Sequence, residues 1–137
     1  MIEWSFKKFD NLDLTELYDI LKLRASVFVV EQDCAYQDLD KKDDQATHVM
    51  GYFKKELIAY SRVFAPGVIE KTHAQIGRVV THKESRGKGV GLSLMKRSIS
   101  FCRNQFICEA IKISAQGYLK NFYNRLGFVE KGKIYLE

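Results

Sequence analysis

Apolar and polar positions alternate at the start of the chain. Ile2, Trp4 and Phe6 recur at every second residue, which predicts a strand with one buried face. Asp13 stands three residues before Glu16, the spacing of a capping box. Leu14, Leu17, Tyr18, Leu21, Ala25 and Phe28 then follow at helical spacing and predict a helix to about Phe28. Glu31 to Gln45 is polar, carries several aspartates and reads as a loop. Val49, Tyr52 and Phe53, the turn Lys54-Lys55, and Leu57 to Phe64 predict a hairpin. Pro66-Gly67 interrupts the pattern. Ile76 to Thr81 reads as a buried strand, and a helix over Leu92 to Phe106 buries Leu92, Leu94, Met95 and Ile99. Ile111 to Ala115 is a further strand, Tyr118 to Leu126 a short helix stopped by Gly127, and Phe128 to Leu136 a last strand. Strands and helices alternate through the second half, so a mixed sheet covered by helices is expected.

Between the strand at Ile76 and the helix at Leu92 lies Arg86-Gly87-Lys88-Gly89-Val90-Gly91. Alternate glycines let a backbone approach a ligand closely and turn its N–H groups inward. The helix that follows adds unpaired amides and a favourable dipole, which suit a phosphate. Arg86 and Lys88 place positive charge at the rim. A pyrophosphate is the simplest ligand. A P-loop is excluded, because no glycine pair has the required spacing before Lys and Ser or Thr. A dinucleotide fingerprint also fails: its third glycine would fall on Leu92 or Leu94. A basic surface turn at a helix start is the plainer alternative.

The chain has 137 residues, the size of one domain, and 46% hydrophobic content excludes a disordered segment. No apolar run approaches the length of a membrane span, and Met1-Ile2-Glu3-Trp4 lacks the layout of a signal peptide. Cys34, Cys102 and Cys108 have no metal-type spacing. A cytoplasmic setting, no membrane partner and no metal are therefore expected. A net charge of +5 suits an anionic ligand, but the Lys and Arg residues are scattered, so no specific nucleic-acid partner is expected.

Arg86, Gly89 and Gly91 form Arg-x-x-Gly-x-Gly, which resembles the coenzyme A pyrophosphate loop of the GNAT superfamily of N-acyltransferases. Phe122-Tyr123-Asn124-Arg125-Leu126-Gly127-Phe128 resembles the segment that closes the coenzyme site in the same family. Leu23 to Asp40, Ile76 to Val80 and Ala115-Gln116 are similar to the ElaA-type branch. The resemblance implies an α/β (α+β) GNAT fold: a mixed central sheet flanked by helices, with a splayed strand pair at the acyl-CoA site. It implies one domain over residues 1–137. Family members usually continue into one further strand, so a final C-terminal strand is expected to be missing or truncated.

The resemblance also implies transfer of an acetyl group from acetyl-coenzyme A to a small-molecule or peptide amine acceptor, by a monomer or homodimer. On the strand Gln75 to Thr81, Val79, Val80 and Thr81 would lie nearest the cofactor, with Arg86, Gly87, Lys88, Gly89, Val90 and Gly91 on the pyrophosphate. Gln116 would also touch the cofactor, where the family usually has asparagine. Tyr123 would protonate the departing thiolate; a phenol stays protonated at neutral pH. Glu31 is the candidate base, with a solvated loop carboxylate as the alternative. Arg24, Phe28 and Glu31 are the candidate acceptor-side residues, with the alternatives that Arg24 pairs with a nearby aspartate and Phe28 is core. His48 reads as a strand-edge residue, and His73 and His82 as surface residues. The aspartates at 33, 38, 40, 43 and 44 read as a solvated loop or an attractor for a cationic amine. A non-catalytic acyl-coenzyme A-binding module on the same fold is the competing function.

Overall fold

The computed structural model describes residues 1–33, 35, 37–107, 110–114, 129–131 and 134–136. Strand β1 (Glu3–Lys8) runs antiparallel to β2 (Thr47–Phe53), and β2 to β3 (Glu56–Phe64). Lys54 and Lys55 turn the β2–β3 hairpin with both residues at positive φ, 50° and 66°. Strand β4 (His73–Thr81) is antiparallel to β3, and β5 (Ala110–Ser114) is parallel to β4. The segment expected as one last strand is two: β6 (Val129–Lys131) and β7 (Ile134–Leu136), with β7 against β5. Among the described residues the sheet order is β1-β2-β3-β4-β5-β7-β6. The mixed sheet with helices is the architecture expected from the alternation of periods.

Helix α1 (Leu14–Arg24) starts at the anticipated capping box: the Asp13 carboxylate accepts from the Glu16 amide at 2.7 Å, and Glu16 reaches back to the Asp13 amide at 3.0 Å. Such a cap contributes about 1 kcal/mol. The buried face of α1 differs from the expected one. Leu14 and Tyr18 are exposed, while Ile20, Leu23, Arg24 and Val27 face inward. Apolar residues surround much of this helix, and a charged residue, Arg24, holds one inward position. The stripe was therefore hidden from a hydrophobicity pattern. The α-helical pitch also ends at Arg24, and the chain continues as a π-helical segment over Ala25–Glu31. Such wide turns are rare and favour functional sites.

Helix α2 (Val90–Gln105) buries Val90, Leu94, Met95, Ile99 and Cys102 against β2–β5. Leu92, expected inside, is 40% exposed because it lies off that stripe. A fully buried leucine such as Leu94 contributes roughly 1.5–3 kcal/mol. The second core, under α1, gathers Ile20, Leu23, Met50, Tyr60 and Val80. Val49 belongs to the α2 core and Met50 to the α1 core. Neighbouring strand residues point to opposite faces, so the two helices cover opposite sides of the sheet. Among the described residues no helix is long and apolar enough to cross a membrane.

Candidate functional site

Strand β4 is regular only in its first half. Its parallel ladder with β5 pairs His73 with Ala110 and ends at Ile76 with Ile113. From Gly77 to Thr81 the ladder partners are on β3 alone, among the described residues. A bulge marks the change. The β3 register steps from Tyr60↔Val80 to Arg62↔Gly77, so Ser61 faces both Arg78 and Val79. Arg78 takes φ of +49°, the left-handed region that side chains seldom adopt. An extra residue sharpens twist and re-aims the strand. Here it coincides with the point where β4 and β5 part: among the described residues Val79 has no ladder partner on β5, Val80 still pairs with Tyr60 of β3, and the Thr81 carbonyl accepts from Arg86. Val80 is buried, while Val79 and Thr81 are half-buried.

The glycine loop follows at the open end of β4. Gly87 and Gly89 have φ of +82° and +77°, the left-handed region that glycine enters without steric cost. A Cβ at either position would meet none of the described residues within 4 Å. Gly89 caps α2 without any side-chain hydrogen bond. The first helical amides, at Val90, Gly91 and Leu92, therefore lack intrahelical acceptors and can receive an anion. Arg86 and Lys88 are exposed beside them. A pyrophosphate fits this cradle of aligned amides and two cations.

Arg86 is already engaged. Its guanidinium makes a two-armed ion pair with Glu31, one arm Nη2 to Oε1 at 3.0 Å, and donates to the Thr81 carbonyl at 3.1 Å. Glu31 closes the π-helical segment, 55 residues earlier in the chain. The hydrogen bonds from Arg86 hold the Glu31 carboxyl below the usual glutamate range. That shift is unfavourable for a base working near neutrality. The structure thus brings Glu31 to the glycine loop.

Arg24 does not line a cleft. It is completely buried, donating to the Asp38 carboxylate at 2.9 Å, the Asp38 carbonyl at 3.0 Å and Asp43 at 2.8 Å. The expectation that it meets an acceptor is corrected by this burial; the aspartate-pairing alternative is what the fold uses. Phe28 is half-buried and packs against the core under α1. Asp40 accepts both arms of Arg62 at 2.9 Å. Burial pushes the Asp40 carboxyl up, but the hydrogen bonds and charge of Arg62, with Arg78 behind them, outweigh it and bring it down to about 2. Asp38, Asp40 and Asp43 are therefore not a solvated acidic patch. Nothing in hydropathy separates them from Asp33 and Asp44.

His48 is also not at an edge. It lies on β2, inside the sheet, fully buried. Nε2 lies 2.9 Å from the Asp43 carbonyl, which can only accept, so that nitrogen carries the proton and Nδ1 accepts from the Tyr60 hydroxyl at 2.6 Å. Burial lowers its pKa. His73 and His82 are half-buried, and the ring of His82 accepts from the Glu84 amide at 3.2 Å. A cleft of about 570 Å³ runs between Asp13, Asp19, Tyr52 and Lys55, and none of the expected site residues lines it. Gln116, Tyr123, Cys34 and Cys108 lie outside the described residues.

The chain matches the model of the acetyltransferase (GNAT) domain over residues 18–137. It belongs to the GNAT acetyltransferase family. It is 36% identical over 139 aligned positions to protein ElaA of Escherichia coli K12, covering 100% of this chain and 90% of that protein. The crystal structure of Escherichia coli ElaA superimposes with a TM-score of 0.90 at 34% identity, covering 99% of this chain and 97% of the other. An acyl-CoA N-acyltransferase from Pseudomonas aeruginosa gives the same TM-score, 0.90, at 35% identity and the same coverage, 99% and 97%. The chain is thus similar to ElaA along its length.

Proposed function

We propose that this GNAT chain is an acetyl-CoA-dependent N-acetyltransferase, a single domain over residues 1–137, acting in the cytoplasm on a small-molecule or peptide amine. The observation that carries the reading is the parting of β4 from β5 at Ile76, with the glycine loop at the open end. A ligand that is both an extended amide chain and a pyrophosphate matches these two features together. The family match and the Pseudomonas acyltransferase support the same class of donor.

Acetyl-coenzyme A supplies the activated acetyl group and a thiolate leaving group. The chain supplies position and charge. Arg86, Gly87, Lys88, Gly89, Val90 and Gly91 hold the pyrophosphate. The β4 edge at Val79, Val80 and Thr81 pairs with amides and donates to the thioester carbonyl, where preorganised N–H groups stabilise developing charge. Gln116 adds a cofactor contact, and Tyr123 donates a proton to sulfur. Phe28 is the aromatic wall of the acceptor side. Glu31, held ionised by Arg86, is a poor acceptor for the amine proton, so that proton passes to bulk water as the N–C bond forms and the C–S bond breaks. No metal takes part. The fold accepts this function as a monomer or homodimer.

The test is thiol release from acetyl-CoA with a panel of amines. Turnover with at least one amine is expected, and Tyr123→Phe should lower kcat by roughly 100- to 10,000-fold while leaving coenzyme A affinity little changed. Binding of coenzyme A with no thiol release from any amine would instead mean a binding module. An unaltered rate in Tyr123→Phe would remove Tyr123 from the reaction.

A further inference from the structure

Six charged side chains close into a ring beside the bulge of β4. Arg24 pairs with Asp38 at 2.9 Å, and Asp38 with Arg78 at 2.8 Å. Arg78 pairs with Asp40 at 3.3 Å, and Asp40 with Arg62 at 2.9 Å. Arg62 pairs with Asp43 at 2.9 Å, and Asp43 with Arg24 at 2.8 Å. Every arginine bridges two aspartates and every aspartate two arginines, so the ring is neutral. It is also largely dry: Arg24 is fully buried, and the side chains of Arg62 and Asp38 are 6% and 8% exposed. His48 donates to the carbonyl of Asp43 from beneath.

The members are not scattered over the fold. Arg24 is the last residue of α1 before the π-helical segment. Arg62 stands opposite Gly77 across the bulge. Arg78 is the bulge residue itself, at φ of +49°. A bulky side chain at positive φ persists only where its surroundings over-determine it. The two aspartates that grip Arg78 are such surroundings. The three aspartates come from one loop, so that loop ties together both backbone irregularities beside the splayed strand.

We propose that Arg78 is a positioning residue for acyl transfer: its bridge between Asp38 and Asp40 fixes the β4 bulge and so the backbone edge at Val79 and Val80. The inference rests on the acyltransferase reading above for its kinetic consequence, but not for its structural one. Arg78 touches no substrate in this account. It acts through the strand it shapes.

Two variants test the bridge. Arg78→Asn keeps a residue that tolerates positive φ and removes the charge. Arg78→Lys keeps one charge but cannot span two carboxylates in the same way. Kinetic constants are taken per coenzyme A-binding site, counted by calorimetry, so that unfolded protein does not enter. Arg78→Asn should lower kcat per site by at least about tenfold, with Arg78→Lys between it and wild type, and amide exchange at Val80, which pairs with Tyr60 beside the bulge, should quicken in the same order. A kcat per site within twofold of wild type in Arg78→Asn would overturn the proposal, as would full recovery in Arg78→Lys. If wild type binds coenzyme A but turns over no amine, the acyltransferase reading has failed, and amide exchange alone decides: unchanged exchange at Val80 in Arg78→Asn overturns the bridge, and faster exchange upholds it.

Discussion

Arg78 and Arg86 lie eight positions apart in the sequence, on either side of the end of β4, and the fold handles their charges in opposite ways. Arg78 joins a closed, neutral ring with Arg24, Arg62, Asp38, Asp40 and Asp43. Arg86 pairs with Glu31 and donates to the Thr81 carbonyl, and the side chains of Arg86 and Glu31 are substantially exposed, at 40% and 32%. In the ring each charge is already neutralised, and an incoming anion would have to displace a buried partner. At the glycine loop the partner is a solvated carboxylate that a pyrophosphate can outcompete. The same residue type therefore holds backbone shape in one place and remains available to a ligand in the other, and burial of the partner decides which.

The largest expected effect comes from opening the ring at its most buried member. Arg24→Met leaves Asp38 and Asp43 each short of a counter-charge in a dry site, and should cost about 3–5 kcal/mol of stability in denaturant unfolding. Arg86→Met should change stability by no more than about 1 kcal/mol, because exposed pairs contribute little, while weakening coenzyme A binding. Equal destabilisation by the two would mean that burial does not separate them.

A smaller effect is expected from Glu31→Gln. Removing the carboxylate frees Arg86 for the ligand, and coenzyme A affinity should rise by up to about fivefold in calorimetry, the worth of an exposed pair. The pH–rate profile should stay that of the parent. Weaker binding would instead make Glu31 the group that holds Arg86 in its binding pose, and a changed acidic limb would return it to the role of base.

Acid should act on the ring through Asp40. Its folded pKa of about 2 lies below the ordinary carboxylate value of roughly 3.9, so its contribution is present above about pH 4 and is lost as pH falls toward 2. Asp40→Asn should flatten that part of a stability–pH curve. An unchanged acid limb would show that Asp40 carries no part of it.

The glycine loop was legible because its signal is local. Gly87 and Gly89 need only their own φ angles, and the strand before and helix after are read from adjacent residues. Its ligand class could be reasoned from the same few positions. The capping box at Asp13 and Glu16 is local too. The ring was not legible, since each of its pairs spans at least 14 residues and the partners look like ordinary polar positions. Arg24 sits on the inward face of α1 as a leucine would, which displaced the predicted stripe onto Leu14 and Tyr18. The π-helical segment also escaped, because Ala25 to Glu31 has no residue that marks a change of pitch. Three arginines and three nearby aspartates were a signal of sorts, but composition alone cannot say which of five acidic loop positions turn inward.

The most direct test of the account is a calorimetric titration of coenzyme A into wild type and into Gly89→Val. A side chain at φ of +77° costs only about 1–2 kcal/mol, so the variant should still unfold cooperatively. The account predicts one-to-one binding to wild type and none to Gly89→Val, because the valine re-aims the amides that open α2. Equal binding by both proteins, or no binding by wild type, would contradict it.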